Sequence, residues 1–229
     1  MKKFILSLVV LCIVSSAYAE DIKQKITTAF NSIEVEEVKE LGKSGVYEVL
    51  TAQGKLLYAT SDFIIVGNLI SYSGENLTKI AEQRMVYERY KKVGFDKKLA
   101  LKVGNGKKEV FQITDPECPF CLKSEDFFTD ADVTRYIYFM PLSIHKNAYN
   151  LSVHILCSQE PEKEYYKVEK AIKDNNIESM TTVSCAAGRE KVEKMMKAAS
   201  DMGVNGTPFF AVGDKTFSGA DESILKYIK

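Results

Sequence analysis

The segment EVFQITDPECPFC, residues 109–121, decides the fold that the sequence predicts. Its first half has the composition of a strand, and the residues after Cys121 are compatible with a helix, so Cys118 stands where a helix begins. The positive end of a helix dipole favours the thiolate, which is the reactive form of cysteine at neutral pH. Cys121 lies about one helical turn further on, close enough to form a disulfide with Cys118. The segment therefore predicts a thiol–disulfide exchange site in which Cys118 attacks and Cys121 resolves.

The spacing of these two cysteines is also that of half a four-ligand zinc site. The sequence holds no second pair of this kind and no closely spaced Cys/His pair, so we favour the redox interpretation and expect neither a metal nor a cofactor. His145 and His154 are interpreted as structural or surface histidines. Asp115 and Glu117, just before Cys118, have two interpretations: they are anions that oppose thiolate formation, or they are solvated loop charges.

The N-terminal residues 1–19 predict a signal peptide. Met1-Lys2-Lys3 is a positive n-region, Phe4–Val14 an apolar h-region, and Ala17-Tyr18-Ala19 a small-x-small cleavage site. Cleavage after Ala19 removes Cys12 and leaves an even number of cysteines, which fits an exported protein in an oxidising compartment. Because Leu11, not a small residue, precedes Cys12, a lipoprotein anchor is not expected.

Composition limits the classes of partner. Lysine plus arginine number 31 and aspartate plus glutamate also number 31, so no strong attraction to nucleic acid or anionic lipid is implied. No stretch after the signal peptide is long and apolar enough to span a bilayer. The expected partners are therefore neither nucleic acid nor membrane lipid.

After the signal peptide, the pattern predicts a small N-terminal module followed by a charged spacer helix. The predicted elements are a helix over 21–31, strands over 33–38, 46–50, 55–60 and 63–72, and the spacer helix over 77–92. Gly67 interrupts the apolar run Phe63–Tyr72. A glycine inside a strand marks a bulge or a close approach of two backbones, so this strand is either simply bulged or an edge that pairs with a second chain.

The remaining chain predicts strand, helix, strand, helical insertion, hairpin and helix, which is the thioredoxin order. Strands 99–103 and 109–114 flank Gly104-Asn105-Gly106, a strong hairpin signal. Later elements are a strand over 133–141, helices over 147–158, 162–174 and 189–200, a hairpin over 209–217 and a last helix capped by Asp221. The fold class is α+β, with an N-terminal dimerisation domain (20–75), a linker helix (76–93) and a thioredoxin-like α/β domain with a helical insertion (94–229).

Cys157 and Cys185 form the second cysteine pair, and neither has the flanking motif of a reactive thiol. We expect a structural disulfide. In the chain-entropy model, a bridge that closes a loop of this length stabilises the folded state by about 3.5 kcal/mol. The alternative is two buried free thiols. Thr207-Pro208 opens the β run 209–212; only about one X-Pro bond in twenty is cis in folded proteins, so the residues alone do not predict a cis bond.

These motifs resemble the DsbC/DsbG family of exported disulfide isomerases over essentially the whole chain. Residues 111–121 look like the family's active-site strand and turn, and residues 203–208 like its cis-proline loop. The Cys157/Cys185 pair resembles DsbC more than DsbG. Pro119-Phe120 departs from the Gly-Tyr of DsbC and is nearer the Pro-Tyr of DsbG, which leaves the balance of isomerase against oxidase open.

The resemblance implies a periplasmic, V-shaped homodimer joined through cystatin-like N-terminal domains, with Gly67 at the contact. It implies a cis Pro208, with Thr207, Pro208, Pro119 and Phe120 contacting the substrate. The implied partners are misfolded exported proteins with wrong disulfides and a membrane thiol reductase of the DsbD type. Two other functions stay open: a thiol oxidase or cytochrome c maturation reductase with the same fold, and a chaperone that binds unfolded chains in a cleft.

Overall fold

The computed structural model describes residues 18–229. The predicted signal peptide, residues 1–19, lies outside the described residues except for Tyr18 and Ala19. The described chain divides into two units, one ending at Glu82 and the other covering Gln83–Lys229, and the division falls inside helix α2 (Leu77–Val93). Among the described residues, no helix has the length and apolar character that crossing a membrane requires. The predicted α+β class is confirmed.

The N-terminal unit packs one helix against an antiparallel sheet. Helix α1 covers residues 18–29 of the described chain, and the sheet has the strand order β1-β2-β3-β4. The strands are β1 (Val35–Glu40), β2 (Tyr47–Thr51), β3 (Leu56–Ala59) and β4 (Ile64–Ile65). Ile22 and Ile26, one turn apart on α1, are buried together with Val49 of β2 and Leu57 of β3. This contact forms the core of the unit.

The long strand predicted over Phe63–Tyr72 is wrong. Only Ile64 and Ile65 pair with β3, and a single further bridge joins Ile70 to Asn76. Gly67 has a φ of +144°, outside the range of strand residues, so the chain leaves the ladder there. The apolar side chains of this run do not enter the core: Phe63 is 71% and Val66 79% exposed.

The second unit is built on a mixed sheet with the strand order β5-β7-β6-β8-β9. Strand β6 is parallel to β7, and the other neighbours are antiparallel. The strands are β5 (Leu101–Val103), β6 (Lys108–Thr114), β7 (Val133–Phe139), β8 (Phe209–Val212) and β9 (Lys215–Ser218). The helices are α3 (Pro119–Ser124), α4 (Ala148–Cys157), α5 (Pro161–Lys173), α6 (Ala186–Asp201) and α7 (Leu225–Ile228).

The hairpin predicted around Gly104-Asn105-Gly106 is also wrong, although both of its strands exist. Strand β7 lies between β5 and β6, so the glycine-rich turn crosses the start of β7 instead of joining neighbours. A Cβ at Gly106 would lie 2.1 Å from the backbone nitrogen of Val133, and one at Gly104 would lie 2.8 Å from its carbonyl oxygen. These glycines are therefore needed because another strand passes close to them. In the sequence, glycines of this kind look the same as the glycines of a turn.

Strand β6 separates two apolar clusters because its side chains alternate across the sheet. Phe111 and Ile113 belong to the cluster that includes residues of α4, α5 and α6, whereas Val110 belongs to the cluster that includes Phe210 and Ile228. The β8–β9 hairpin is confirmed. Asp221 accepts a hydrogen bond from the backbone of Ser223 and caps the 3₁₀ turn that leads into α7, as predicted.

Candidate active site

Cys118 lies at the N-terminus of α3, directly after the turn that leaves β6. Its backbone N–H donates to Asp115 O (3.1 Å), and its carbonyl accepts the first bond of the helix, from Leu122 N (3.0 Å). Pro119 occupies the first helical position, where a missing N–H costs nothing. Cys121 follows within the same short helix, and both cysteines are buried free thiols. The sequence therefore leads from strand to turn to thiol-bearing helix, as predicted.

The loop before β8 lies against Cys118. Strands β6 and β8 are antiparallel neighbours in which Ile113 is opposite Phe209, so the residues after β6 meet those before β8. The Thr207–Pro208 peptide bond is cis. In its protonated form, the Cys118 thiol donates to Thr207 O over 3.5 Å. Two segments far apart in sequence thus meet at one sulfur.

The two thiols have opposite electrostatic environments. A hydrogen bond from the Cys121 thiol, with further donors from Thr207 and the backbone around Phe120 and Cys121, lowers the pKa of Cys118 to about 5 against the opposing effect of burial. Burial and the same Cys118–Cys121 hydrogen bond raise the pKa of Cys121 well above its usual range. At neutral pH, Cys118 is therefore a thiolate and Cys121 a protonated thiol.

Cys118 is next to two exposed residues in the sequence and close to the buried hydroxyl of Thr207 in the fold. Pro119 and Phe120 are exposed, Phe120 by 61%. The hydroxyl of Thr207 is buried and makes no hydrogen bond of normal geometry to any described residue, yet it lowers the pKa of both thiols. A cavity of about 150 Å³ lies beside this threonine, lined by the loop 203–207 together with Val86, Phe209, Ser218 and Gly219.

The interpretation of Asp115 as a solvated loop charge is wrong. Its side chain is fully buried and accepts hydrogen bonds from Glu117 N (2.8 Å), Leu142 N (2.7 Å) and His145 Nδ1 (2.7 Å). Glu117 accepts from the backbone (2.6 Å) and side chain (3.0 Å) of Asn147. Both carboxylates therefore fasten the active-site turn to the segment before α4, which sequence reasoning missed because the partners are distant in sequence.

A buried polar cluster beyond α3 was also missed. Glu125, in the 3₁₀ turn after α3, accepts from Arg135 Nη1 (2.6 Å), Gln112 Nε2 (3.2 Å) and the Tyr165 hydroxyl (2.8 Å). Burial and the Glu125 carboxylate raise the pKa of nearby Glu169 to about 8. Arg135, the one charged residue of strand β7, was the available signal, because a buried arginine needs a carboxylate partner.

Cys157 and Cys185 form a disulfide, with Cα atoms 5.9 Å apart. The bond joins the end of α4 to the N-cap of α6, where Cys185 Sγ also accepts from Gly188 N (3.2 Å). Gly188 has no side chain in the space that the bridge occupies: a Cβ there would lie 2.4 Å from Cys157 Sγ. Within residues 18–229, no group of three or more His, Cys, Asp or Glu side chains is arranged to hold a metal ion.

Comparison with known proteins gives two family matches. A model of the disulfide bond isomerase protein N-terminal domain matches residues 14–79. A model of the thioredoxin-like domain matches residues 95–218, which is more than half of the chain. A search of curated proteins found no match.

Solved structures to which the chain is similar include three bacterial proteins. A disulfide interchange protein from Neisseria gonorrhoeae is 26% identical, with 58% of this chain and 96% of that chain covered and a TM-score of 0.47. The catalytic domain of Proteus mirabilis ScsC is 17% identical (62% and 94% covered, TM-score 0.46). Helicobacter pylori DsbG is 16% identical (85% and 100% covered, TM-score 0.41). The family assignment rests on the two family models, not on these structures.

The thioredoxin-like fold, with two cysteines at the start of α3, defines a thiol–disulfide oxidoreductase. Because the N-terminal domain of disulfide bond isomerases precedes it, the chain belongs to the DsbC/DsbG family of thiol:disulfide interchange proteins.

Proposed function

We propose that this protein is a periplasmic disulfide isomerase and reductase of exported proteins, with Cys118 as the attacking thiol and Cys121 as the resolving thiol. The observation that carries the proposal is the opposite environment of the two sulfurs: the pKa of Cys118 is lowered to about 5, and that of Cys121 is raised. Only a thiolate attacks a disulfide, so the two residues are suited to different steps.

In the first step, the Cys118 thiolate attacks one sulfur of a wrong disulfide. The bond between Cys118 Sγ and that sulfur forms, the substrate's S–S bond breaks, and the second substrate sulfur leaves as a thiolate. For isomerisation, this thiolate attacks another disulfide of the substrate, and a later substrate thiolate displaces Cys118; no net oxidation occurs. For reduction, Cys121 gives its proton to water and attacks Cys118 Sγ: the Cys118–Cys121 bond forms, the bond between Cys118 and the substrate breaks, and the second substrate sulfur leaves as a thiolate. Both substrate thiolates then take up protons from water, so the substrate is released as a dithiol.

The loop before β8 is proposed to hold the substrate. Thr207 O lies 3.5 Å from Cys118 Sγ and accepts from it only while the thiol is protonated. When Cys118 is a thiolate, Thr207 O and the neighbouring backbone groups of the loop can pair with an extended substrate strand beside the sulfur. The exposed Pro119 and Phe120 add apolar contact area on the other side of Cys118. The Cys118–Cys121 disulfide is proposed to be reduced by a membrane thiol reductase of the DsbD type.

Substrate trapping tests the roles of the two thiols. Cys121→Ser removes the resolving thiol, so mixed disulfides between Cys118 and exported proteins should accumulate and be visible on non-reducing gels. Cys118→Ser is the matched control, because it removes the other sulfur with the same change in side chain. Equal trapping by Cys118→Ser would contradict the assignment.

The protein is proposed to be a homodimer that associates through the predicted dimerisation domain, residues 20–75. The support is the segment around Gly67, where Phe63, Val66 and Tyr72 are exposed next to the short edge strand β4. An unpaired edge with exposed apolar side chains is stabilised when a second chain covers it.

A charge at Val66 tests the dimer without forcing a side chain onto Gly67, whose positive φ disfavours any other residue. Val66→Arg should give folded monomers by light scattering that keep reductase activity and lose most isomerase activity. Val183→Arg, at another exposed valine, is the control and should remain dimeric. A dimeric Val66→Arg protein with full isomerase activity would exclude this interface.

A thiol oxidase is the second candidate, because a strongly lowered pKa of the attacking thiol stabilises the reduced form and makes the disulfide oxidising. Two features of the chain resemble different members of the family. The dipeptide Pro119-Phe120 is nearer to that of DsbG, whereas the Cys157–Cys185 bridge resembles DsbC. The redox state of Cys118 and Cys121 in cells separates the candidates. An isomerase or reductase is kept reduced, whereas an oxidase is kept oxidised.

A further inference from the structure

The turn that carries Cys118 is fastened by a carboxylate that is entirely inside the protein. Asp115 Oδ1 accepts from Glu117 N within the turn itself. Asp115 Oδ2 reaches across to the segment before α4, where it accepts from Leu142 N and His145 Nδ1, each over 2.7 Å. A buried carboxylate without such donors is costly, so each donor fixes the place of Asp115.

His145 is the one side-chain donor among these three. The other two are backbone N–H groups, which no substitution except proline removes. The imidazole is itself largely enclosed, with 17% of the side chain exposed, so its ring has little freedom to turn away from Asp115. Glu117 adds a parallel connection, since it accepts from Asn147, two residues beyond His145.

The backbone of Asp115 in turn contacts the backbone of Cys118 and the thiol of Cys121. Asp115 O accepts from Cys118 N (3.1 Å), which sets the first residue of the active-site helix. The backbone N–H of Asp115 is also one of the groups that lower the pKa of Cys121. A shift of Asp115 therefore moves Cys118 relative to the Thr207 loop and to the donors that lower its pKa, and it removes a donor from Cys121.

We propose that His145 is a positioning residue for thiol–disulfide exchange: its hydrogen bond to Asp115 holds the 115–118 turn so that Cys118 Sγ stays against the loop before β8. The inference rests on the proposed role of Cys118 as the attacking thiol. It differs from the sequence-based interpretation of His145 as a structural or surface histidine, because the proposed effect is on the thiolate and not only on stability.

His145→Ala and His145→Asn test the proposal as a pair. Alanine removes the donor, whereas the asparagine amide places an uncharged donor close to the position of Nδ1. The pH dependence of Cys118 alkylation, followed by mass spectrometry on the full reduced chain, gives the midpoint of thiolate formation. We expect a midpoint about one pH unit higher in His145→Ala, and so alkylation about fivefold slower at pH 5, where about half of the Cys118 of the natural chain is thiolate. His145→Asn should return the midpoint close to that of the natural chain.

The other histidine supplies the control. His154 bonds to Glu164 Oε1 (3.0 Å) on α5, so His154→Ala also breaks a histidine–carboxylate contact. It should lower the thermal midpoint without moving the Cys118 midpoint. An unchanged Cys118 midpoint in His145→Ala, or an equal shift in His145→Ala and His145→Asn, would overturn the proposal. If Cys118→Ser kept full activity, the proposed function itself would fail, which is a different result.

A measurement on the unaltered chain covers the case in which His145→Ala does not fold. In ¹⁵N-labelled protein, the imidazole signals of His145 should shift when Cys118 and Cys121 are oxidised to a disulfide, and those of His154 should not. Imidazole signals of His145 that do not respond to the redox state of the thiols would overturn the proposal.

Discussion

Each of the two cysteine pairs has one member at the start of a helix, yet the pairs have different chemistry. Cys118 is the N-cap of α3 and Cys185 the N-cap of α6. Both sulfurs therefore meet the positive end of a helix dipole, and α6 is much the longer of the two helices. Cys118 is nevertheless a free thiol, whereas Cys185 is bonded to Cys157. A helix start is thus not sufficient to define a reactive thiol.

The difference lies in what else meets each sulfur. Cys185 meets a sulfur from another helix, in a space that Gly188 leaves open, and the bridge joins α4 to α6. Cys118 meets Cys121 of its own helix and Thr207 of the loop before β8. The first arrangement connects two elements of the fold, and the second surrounds one sulfur with donors and leaves Pro119 and Phe120 exposed beside it.

The largest expected effect is on activity. Cys118→Ser should reduce insulin-type disulfide reduction to the background of the assay, because serine does not form the mixed disulfide on which both pathways depend. A Cys157→Ser/Cys185→Ser double variant should keep most of this activity. A double variant as inactive as Cys118→Ser would mean that the second pair takes part in the chemistry.

Next in size is the effect of the second pair on stability. The Cys157→Ser/Cys185→Ser variant should lose about 3.5 kcal/mol of unfolding free energy, the value for closing a loop of this length. Serine is a good N-cap residue, so the loss should report the bridge and not the start of α6. Urea unfolding of the variant and of the unaltered oxidised chain measures the difference. A loss below about 1 kcal/mol would contradict a structural role for the bridge.

Gly188 offers a sharper test of the same bridge. Gly188→Ala should destabilise the oxidised protein by about 1–3 kcal/mol, because the new Cβ would overlap Cys157 Sγ and the bridge must shift. In a Cys157→Ala background, most of that loss should disappear, since the nearest atom is gone. A similar loss in both backgrounds would mean that the strain comes from the other two close atoms, Cys185 Sγ and Val153 O, each 3.1 Å from the new Cβ.

The sequence predicted the two cysteine pairs more successfully than it predicted the contacts between segments. The thiol-bearing helix start follows from local residues, and the cis Pro208 followed from family resemblance. The hairpin around Gly104 and Gly106 failed because β7, which separates its strands, comes later in the chain. The strand over Phe63–Tyr72 failed because an exposed apolar edge has the composition of a buried strand. The Asp115–His145 contact was missed because nothing in the spacing of these residues indicates it.

The smallest expected effect concerns the hydroxyl of Thr207, which distinguishes the environment of Cys118 from that of Cys185. This hydroxyl lowers the pKa of both Cys118 and Cys121, and it is free to donate to the Cys118 thiolate once that thiol has lost its proton.

Thr207→Val keeps the shape of the side chain and removes the hydroxyl donor. The midpoint of Cys118 alkylation should rise from about 5 by roughly half a unit, because one of several donors is lost. Thiolate is present above the midpoint and absent below it, so alkylation at pH 5 should slow by about two- to threefold and remain unchanged at pH 8. Thr207→Ser, which keeps the hydroxyl, is the control. A Thr207→Val midpoint equal to that of Thr207→Ser would show that the backbone donors alone stabilise the thiolate.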